Sequence, residues 1–443
     1  MKHVFFKPVC ILLLFLSLQS FSQTKQETGD SNLQLSEPAS LLKEYISIPT
    51  VTGNETLAKE FLLEWGRKNE IHTRILTDSA GCLNMVFSLF PLPDPRPSII
   101  LVNHIDVVPA GDPAFWTHPP FSGELQDAYI IGRGAIDNKG LAVMQLMALK
   151  EFSKNPGYDS MQLNICVLCV SGEEKGGALG SKIVIEHFLE LLNPVLVLCE
   201  GGTGLPSVSF AGIHKPVFNI SIAEKRSLWL KLSVLNSDGG HTSVYNRYSA
   251  QTIFIQALDR LLSAWPTPVF GTTTRQMFQS LGEASRGLKG FGLKNMHRRI
   301  FRPVLKKYMH THSVMTSLFS NTIAVTGLSS DEEKALNQNQ TEVTAVLDCR
   351  LLPGQSDESF IAQLEKTIND SKVKISILRY DPDTKASQPE KYYAFLSDAI
   401  RKEHPDAAVI PVLLPATSDC FYYRAKGITS FGIKSGHFYR RFA

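Results

Sequence analysis

Apolar positions recur at two spacings along the chain, and the spacing changes twice. Leu57, Phe61, Leu62 and Trp65 fall at helical intervals across 55–70, which predicts a helix with one buried face. Residues 98–102, 161–170 and 194–199 are unbroken apolar runs of strand length, the pattern of strands covered on both faces. Residues 140–153 and 180–192 read as helices between them. Strands alternating with helices predict an α/β unit with a mostly parallel sheet and helices on both faces.

The pattern changes near residue 223. Residues 228–235 alternate like a half-exposed strand, a helix is expected over 249–264, and a basic, weakly patterned stretch covers 275–313. Strands at 321–326 and 341–348, a helix at 356–369 and a strand at 372–379 complete the segment. The order is βαββαβ, a ferredoxin-like α+β sandwich. It is inserted, because α/β character resumes over 389–433. The expected organisation is 37–222 and 380–443 as two parts of one α/β domain, with 223–379 between them.

The N-terminus has a different character. Lys2 and Lys7 precede an apolar run at 9–18, and Ser20-Phe21-Ser22-Gln23 follows. This predicts a secretory signal over 1–22, a polar disordered linker over 23–36, and a secreted or periplasmic location. No apolar stretch of about 20 residues occurs later, so no integral membrane segment is expected after cleavage. Over the 443 residues, 43% are hydrophobic and 20% charged, which excludes a disordered or collagen-like chain. A net charge of +3, without a basic stripe interleaved with aromatics, gives no footprint for nucleic acid. Beyond the leader lie Cys82, Cys166, Cys169, Cys199, Cys349 and Cys420. Most sit in apolar, strand-like surroundings, and Cys166 and Cys169 would face opposite sides of one strand. Buried thiols are expected rather than disulfides or a zinc knuckle.

Candidate chemistry sits where strands end. His104 and Asp106, two residues apart, close the first apolar strand. Asp137 precedes a helix in Gly132-Arg133-Gly134-Ala135-Ile136-Asp137-Asn138-Lys139-Gly140. Ser171-Gly172-Glu173-Glu174 and Glu200-Gly201-Gly202 follow the next two strands. Sites in open α/β sheets form at the carboxyl ends of strands, so these groups converge on one rim. Imidazole with carboxylates suits Zn²⁺ first, then Mn²⁺ or Co²⁺. Asp137 is placed to bridge two ions, Asp106 to receive the second N–H of His104, and one of Glu173 and Glu174 to ligate while the other serves as general base. No Gly-x-Ser-x-Gly elbow and no phosphate-binding loop occurs.

Together these segments, with Trp116-x-x-Pro119-Pro120-Phe121-Ser122-Gly123, resemble the M20 family of zinc metallopeptidases and amidohydrolases. The nearest likeness is to its carboxypeptidase S-like and N-acyl amino acid hydrolase branch. The resemblance implies a di-zinc hydrolase acting on the amide bond of dipeptides or N-acyl amino acids through a metal-held hydroxide. It implies His104, Asp137 and Glu200 on one zinc, and Asp137, Glu174 and a late histidine on the other. Glu173 would be the general base, Asp106 would orient His104, and a cis peptide would follow Asp137. The inserted segment is similar to the family's lid. It implies that His241, in Gly239-Gly240-His241-Thr242-Ser243, stabilises an oxyanion, often across a homodimer. Asn321 and Arg350 match lid positions that contact substrate, and a guanidinium there favours a free carboxylate.

Two segments depart from the family pattern. The lid turn at 336–341, Leu-Asn-Gln-Asn-Gln-Thr, lacks the usual Asn-Val-x-Pro-like sequence. His437 has the right type and order for the late ligand, but only Lys434-Ser435-Gly436 separate it from Ile433. The alternative expectation is a degenerate relative that binds peptides or a partner without turnover.

Overall fold

Why the site forms where it does follows from the order of strands in one large sheet. The computed structural model describes residues 35–433, apart from 78–81, 128, 156, 236–240, 265–266, 310–311, 331–336, 338 and 389–390. The first stretch runs α1 (Glu37–Ile46), α2 (Lys59–Lys68), β1 (His72–Leu76), β2 (Asn84–Ser88), β3 (Ser98–His104), then the hairpin β4 (Glu124–Gln126) and β5 (Tyr129–Ile131). Next come α3 (Lys139–Ser153), β6 (Asn164–Val170), α4 (Ser181–His187), α5 (Leu189–Leu192), β7 (Pro194–Cys199), β8 (Thr203–Leu205) and β9 (Val217–Glu224). The inserted part holds β10 (Arg226–Leu235), α6 (Ala250–Ser263), α7 (Thr272–Ala284), α8 (Gly287–Lys294), α9 (Arg302–Met309), α10 (Ser313–Phe319), β11 (Thr322–Ser330), β12 (Glu342–Leu351), α11 (Asp357–Ile368) and β13 (Val373–Tyr380). The chain then returns through α12 (Lys391–Glu403), β14 (Ala408–Leu414), α13 (Cys420–Ala425) and β15 (Ser430–Gly432).

The main sheet is nine-stranded, in the order β1-β2-β6-β3-β7-β15-β9-β14, with β8 on β9. Its centre, β6-β3-β7-β15, is parallel, whereas β1, β2, β8 and the β15–β9 contact are antiparallel. The expected α/β class is observed, with a mixed rather than mostly parallel sheet. Every residue of β6 is buried, because helices cover both faces. Val167 and Cys169 join the cluster under α1, α2 and α3, while Cys166, Leu168 and Val170 join the cluster beneath α4 and α13. The six thiols are free, and all but Cys82 are buried. α3 is buried nearly all round, from Lys139 to Leu149, as a helix between a sheet and α1 must be.

The lid sheet runs β11-β12-β10-β13, antiparallel throughout, with α6 and α11 sharing its apolar cluster. This is the expected βαββαβ sandwich. The weakly patterned stretch before β11 forms a separate helical layer. Met277, Phe278 and Leu281 of α7, Leu293 of α8 and Leu318 and Phe319 of α10 pack with Ile410, Val412 and Leu413 of β14. The segment expected as one inserted domain therefore divides: β10–α6 and β11–β13 make the lid, and α7–α10 cover the edge of the main sheet. No helix among the described residues is long and apolar enough to cross a membrane.

The two parts meet at Glu224-Lys225-Arg226, all buried, between β9 and β10. Glu224 is ion-paired to Arg424, Lys225 Nζ donates to Ser320 O and Thr322 Oγ1 at 3.0 and 2.9 Å, and Arg226 pairs with Asp357. A buried charge left alone would be costly, so each of the three has a partner: Glu224 within the main part, Arg226 within the lid, and Lys225, between β9 and β10, at the start of β11.

Candidate active site

Three parallel neighbours, β6, β3 and β7, end on the same side of the sheet. Their carboxyl ends deliver Glu173 and Glu174, His104, and Glu200. Asp137 comes from the turn that starts α3, where the peptide bond to Asn138 is cis, as the family resemblance implied. That turn is tied down on both sides. Lys139 Nζ, fully buried, donates to Tyr45 O and Ile48 O at 3.0 and 2.6 Å, fixing α3 to the end of α1. Burial lowers the Lys139 pKa to about 7. Asn138 Oδ1 accepts the His104 main-chain N–H at 3.1 Å, and its Nδ2 donates to Glu200 Oε2 at 3.0 Å. One amide thus sets the spacing between two of the converging residues.

His104 is buried, with Nδ1 2.8 Å from the main-chain oxygen of Asp106 and 3.5 Å from its carboxylate. A carbonyl oxygen can only accept, so Nδ1 carries a proton and donates it to Asp106 O. Asp106 thus faces the second ring N–H of His104, as expected, with its carbonyl oxygen nearest and its carboxylate, which has other partners, just beyond. Asp106 Oδ1 accepts the N–H of Glu173 at 3.1 Å, and Oδ2 accepts the N–H of Glu174 at 3.2 Å and the Thr52 hydroxyl at 2.9 Å. Burial alone would raise the Asp106 carboxyl, but His104, Thr52 and the Glu173 N–H hold it below its usual value.

With Nδ1–H committed, His104 Nε2 presents a lone pair, and 3.3 Å away lies Asp137 Oδ1, also an acceptor. Two facing acceptors need a proton or a cation between them. Tetrahedral zinc, with bonds of about 2.0–2.2 Å, spaces its donors about 3.3–3.5 Å apart. The surrounding groups fit the same requirement. His104, Asp137 and Glu174 can bring ligand atoms within 4.8 Å of one another, and so can His104, Glu173 and Glu200. By distance alone Glu173 belongs with Glu200, so proximity does not separate ligand from base.

The metal-free charge balance also calls for a cation. Burial raises the Glu173 carboxyl well above its ordinary value; His104 opposes this, while Glu200, Asp419 and Glu174 add to it. Burial raises Glu174 to about 7, against His104 and with Asp137, Asp106 and Glu200. Burial works against a charged His104, but Asp106, Asp137, Glu173 and Glu200 outweigh it, and its pKa stands well above normal.

Asp419, buried between β14 and α13, was given no role in the sequence. Burial, opposed by His104 and reinforced by Glu200 and Asp106, raises its carboxyl to about 7. The signal was present: like Glu173 and Glu200, Asp419 follows an apolar strand.

The lid residues are placed differently. Arg350 forms an ion pair with Asp348 at 2.9 Å, and its Nη1 donates to Ser227 Oγ and Thr417 Oγ1 at 2.8 and 2.7 Å. It therefore joins the lid to the segment just before Asp419. Asn321 Oδ1 accepts the N–H of Leu352 at 2.8 Å, a contact within the lid. His241 is exposed, and its ring contacts Ser243 Oγ and Asn337 Nδ2, both at 2.8 Å. Asn337 belongs to the turn that departs from the family pattern, so that turn supports His241. None of the described contacts of His241 reaches the carboxylate cluster. Gly239, Gly240 and His437 lie outside the described residues.

A mixed α/β core with a histidine and acids at its strand ends, joined to a four-stranded lid, is the architecture of a metallohydrolase. Residues 100–439 match peptidase family M20/M25/M40, and the chain belongs to that family. It is 30% identical over 358 residues to the probable carboxypeptidase S-like 2 of Dictyostelium discoideum, covering 80% of this chain and 67% of that one. It is 26% identical over 439 residues to the N-fatty-acyl-amino acid synthase/hydrolase PM20D1 of Mus musculus, covering 93% and 85%. In fold it is similar to the M20 family metallo-carboxypeptidase Sso-CP2 of Sulfolobus solfataricus, with a TM-score of 0.64 at 16% identity over 91% of this chain and 93% of that one. The protein is thus an enzyme of the peptidase and amidohydrolase class, with candidate metal-binding residues at the rim of its main sheet.

Proposed function

We propose that the protein is an exported two-zinc hydrolase that cleaves the amide bond of dipeptides or N-acyl amino acids bearing a free carboxylate. The observation that carries this reading is the convergence of His104, Asp137, Glu173, Glu174 and Glu200, with the Asp137 and His104 acceptors facing each other at 3.3 Å. His104, Asp137 and Glu200 would hold one ion, and Asp137, Glu174 and His437 the other. When bound, such ions lower the pKa of water and polarise a carbonyl. Co²⁺ or Mn²⁺ are accepted by the same donors.

Glu173 takes a proton from the attacking water and returns it to the leaving amine. Burial shifts its carboxyl upward, the direction that makes it a better proton acceptor. Arg350 grips the substrate carboxylate, exchanging the Thr417 and Ser227 hydroxyls for carboxylate oxygens. The similarity to a carboxypeptidase S-like protein and to an N-fatty-acyl-amino acid synthase/hydrolase supports this substrate class. His241, exposed on the lid, would stabilise the oxyanion in a partner's site of a homodimer. Export rests on the basic and apolar start of the chain.

Metal content and turnover on N-acyl amino acids, dipeptides and their C-terminal amides test the reading together. Two ions per chain and preference for the free carboxylate are expected. Glu173→Gln should keep the metal and lose about 10²–10⁴-fold in turnover. A variant retaining more than about a tenth of wild-type turnover removes Glu173 as the base. One ion or fewer, not raised by added metal, removes the two-zinc reading.

A further inference from the structure

The helical layer α7–α10 carries a surface that the amide-cleaving site does not use. Between Glu283 and Asp331 the chain has eight Lys and Arg residues and no Asp or Glu, although the whole protein carries a net charge of only +3. All eight, from Arg286 to Lys307, are exposed. Among them stand three large apolar side chains that face water: Leu288 at 91%, Phe291 at 62% and Ile300 at 78% exposure.

The orientation of this surface is set by packing. Leu288 and Phe291, three residues apart on α8, share one face. The other face carries Gly290 and Leu293, both buried. A Cβ on Gly290 would stand 2.7 Å from Gly282 O, so α8 lies against α7 as closely as two backbones allow. Leu293 joins the cluster on β14. The apolar tips therefore cannot turn inward without unpacking the layer. The chain then passes through Arg298 and Arg299 to Ile300 and into α9, keeping cations on both sides of each apolar tip.

We propose that this layer docks the protein on an anionic lipid bilayer. Leu288, Phe291 and Ile300 enter the headgroup–acyl boundary, and the flanking lysines and arginines lie against the headgroups. Apolar tips ringed by cations are the chemistry of interfacial binding, in which apolar burial and attraction to anionic lipid act together. Charge complementarity selects an anionic partner. The aliphatic tips select a bilayer over nucleic acid, because Leu288 and Ile300 offer no plane for a base to stack on. The proposal is independent of the substrate reading.

The test is co-sedimentation of the purified mature chain with phosphatidylcholine vesicles, with and without about 30% phosphatidylglycerol. The comparison variants are the triple Leu288→Ser, Phe291→Ser, Ile300→Ser and the double Arg298→Glu, Arg299→Glu. Unchanged melting temperature and metal content confirm that these surface variants fold. Binding to anionic vesicles should exceed binding to neutral ones about tenfold or more, and fall by about tenfold or more in each variant. Phe291→Trp should be quenched by brominated acyl chains. The proposal is overturned by equal retention on both vesicle types, by no retention on either, or by anionic retention that the apolar triple leaves unchanged. Failure here would leave amide hydrolysis untouched, and loss of hydrolysis would leave vesicle binding untouched.

Discussion

Asp106 Oδ1 accepts the main-chain N–H of Glu173 at 3.1 Å. Its second oxygen receives the N–H of Glu174 at 3.2 Å, so one buried carboxylate seats the backbone of both glutamates. The same residue's carbonyl oxygen holds the His104 ring. Asp106, fully buried, thus positions His104 at the end of β3 and the two glutamates in the turn after β6.

Asp106→Asn tests that role. One oxygen becomes an N–H₂ group opposite a main-chain N–H, leaving a buried donor unmatched at a cost of about 1–3 kcal/mol. The His104 contact to the main-chain oxygen of Asp106 survives, while the longer one to its carboxylate loses its charge. Metal affinity and turnover should both fall by about 10–100-fold, with the larger loss in turnover, as the glutamates shift. Isothermal titration with Zn²⁺ beside steady-state kinetics separates this from unfolding. Loss of His104 ligation alone, with kcat preserved, would assign Asp106 to the ring instead.

Arg350 gives a second outcome. Its guanidinium is already held by Asp348, Ser227 and Thr417, so a carboxylate must displace the hydroxyls rather than enter an open fork. Arg350→Lys removes the planar geometry and keeps the charge. KM for a free-carboxylate substrate should rise about tenfold or more, while kcat/KM for the C-terminal amide should barely change. Thr417→Val should lower KM for the acid, since Arg350 loses a competing hydroxyl. Equal losses on acid and amide would make Arg350 a tie between lid and catalytic part and nothing more.

Much of this arrangement is legible in the chain because it obeys local rules. The apolar runs of β3, β6 and β7 mark buried strands, and the acids that follow them mark the rim. β6 starts at Asn164 rather than 161 because 158–160 form a short turn. The helix expected over 180–192 breaks at Phe188, whose φ of −127° interrupts it. Long-range partners are not written locally. Thr417 reaches Arg350 across 67 positions, and the apolar residues of α7–α10 make sense only against β14. Asp419 obeyed the same strand-end rule as Glu200 and needed only that rule applied once more.

The junction residue Lys225 predicts a pH dependence of stability. Burial, with help from Arg350 and against Asp348, lowers its pKa to about 7, whereas an unfolded lysine titrates near 10.4. Between these values the unfolded chain binds more protons, so stability from this group rises with pH from about 7 to about 10 and is flat below 7. Lys225→Met abolishes the slope. The stability difference between wild type and variant should change in favour of wild type by up to about 1.4 kcal/mol per pH unit across that window. Urea unfolding at several pH values measures it. A difference that does not vary with pH would mean that Lys225 stays charged against Ser320 and Thr322.

Metal removal should act through the carboxylates at the rim. In the metal-free chain burial lifts Glu174 and Asp419 to about 7, well above their unfolded values. The folded chain then binds more protons than the unfolded one between about pH 4 and 7, so metal-free stability falls as pH rises through that window. Bound cations replace those protons, and at higher pH fewer protons compete with them for the ligands. The melting temperatures of chelated and zinc-loaded protein should therefore lie close together at pH 5 and several degrees apart at pH 8. Glu174→Gln and Asp419→Asn separate the two contributions. Each should flatten the pH dependence of the chelated form, and Glu174→Gln alone should also weaken zinc binding by about 10-fold or more. Asp419→Asn should leave zinc affinity within about threefold, because Asp419 meets the site through its charge and not as a ligand. A loss of zinc from Asp419→Asn as large as that from Glu174→Gln would place Asp419 among the ligands.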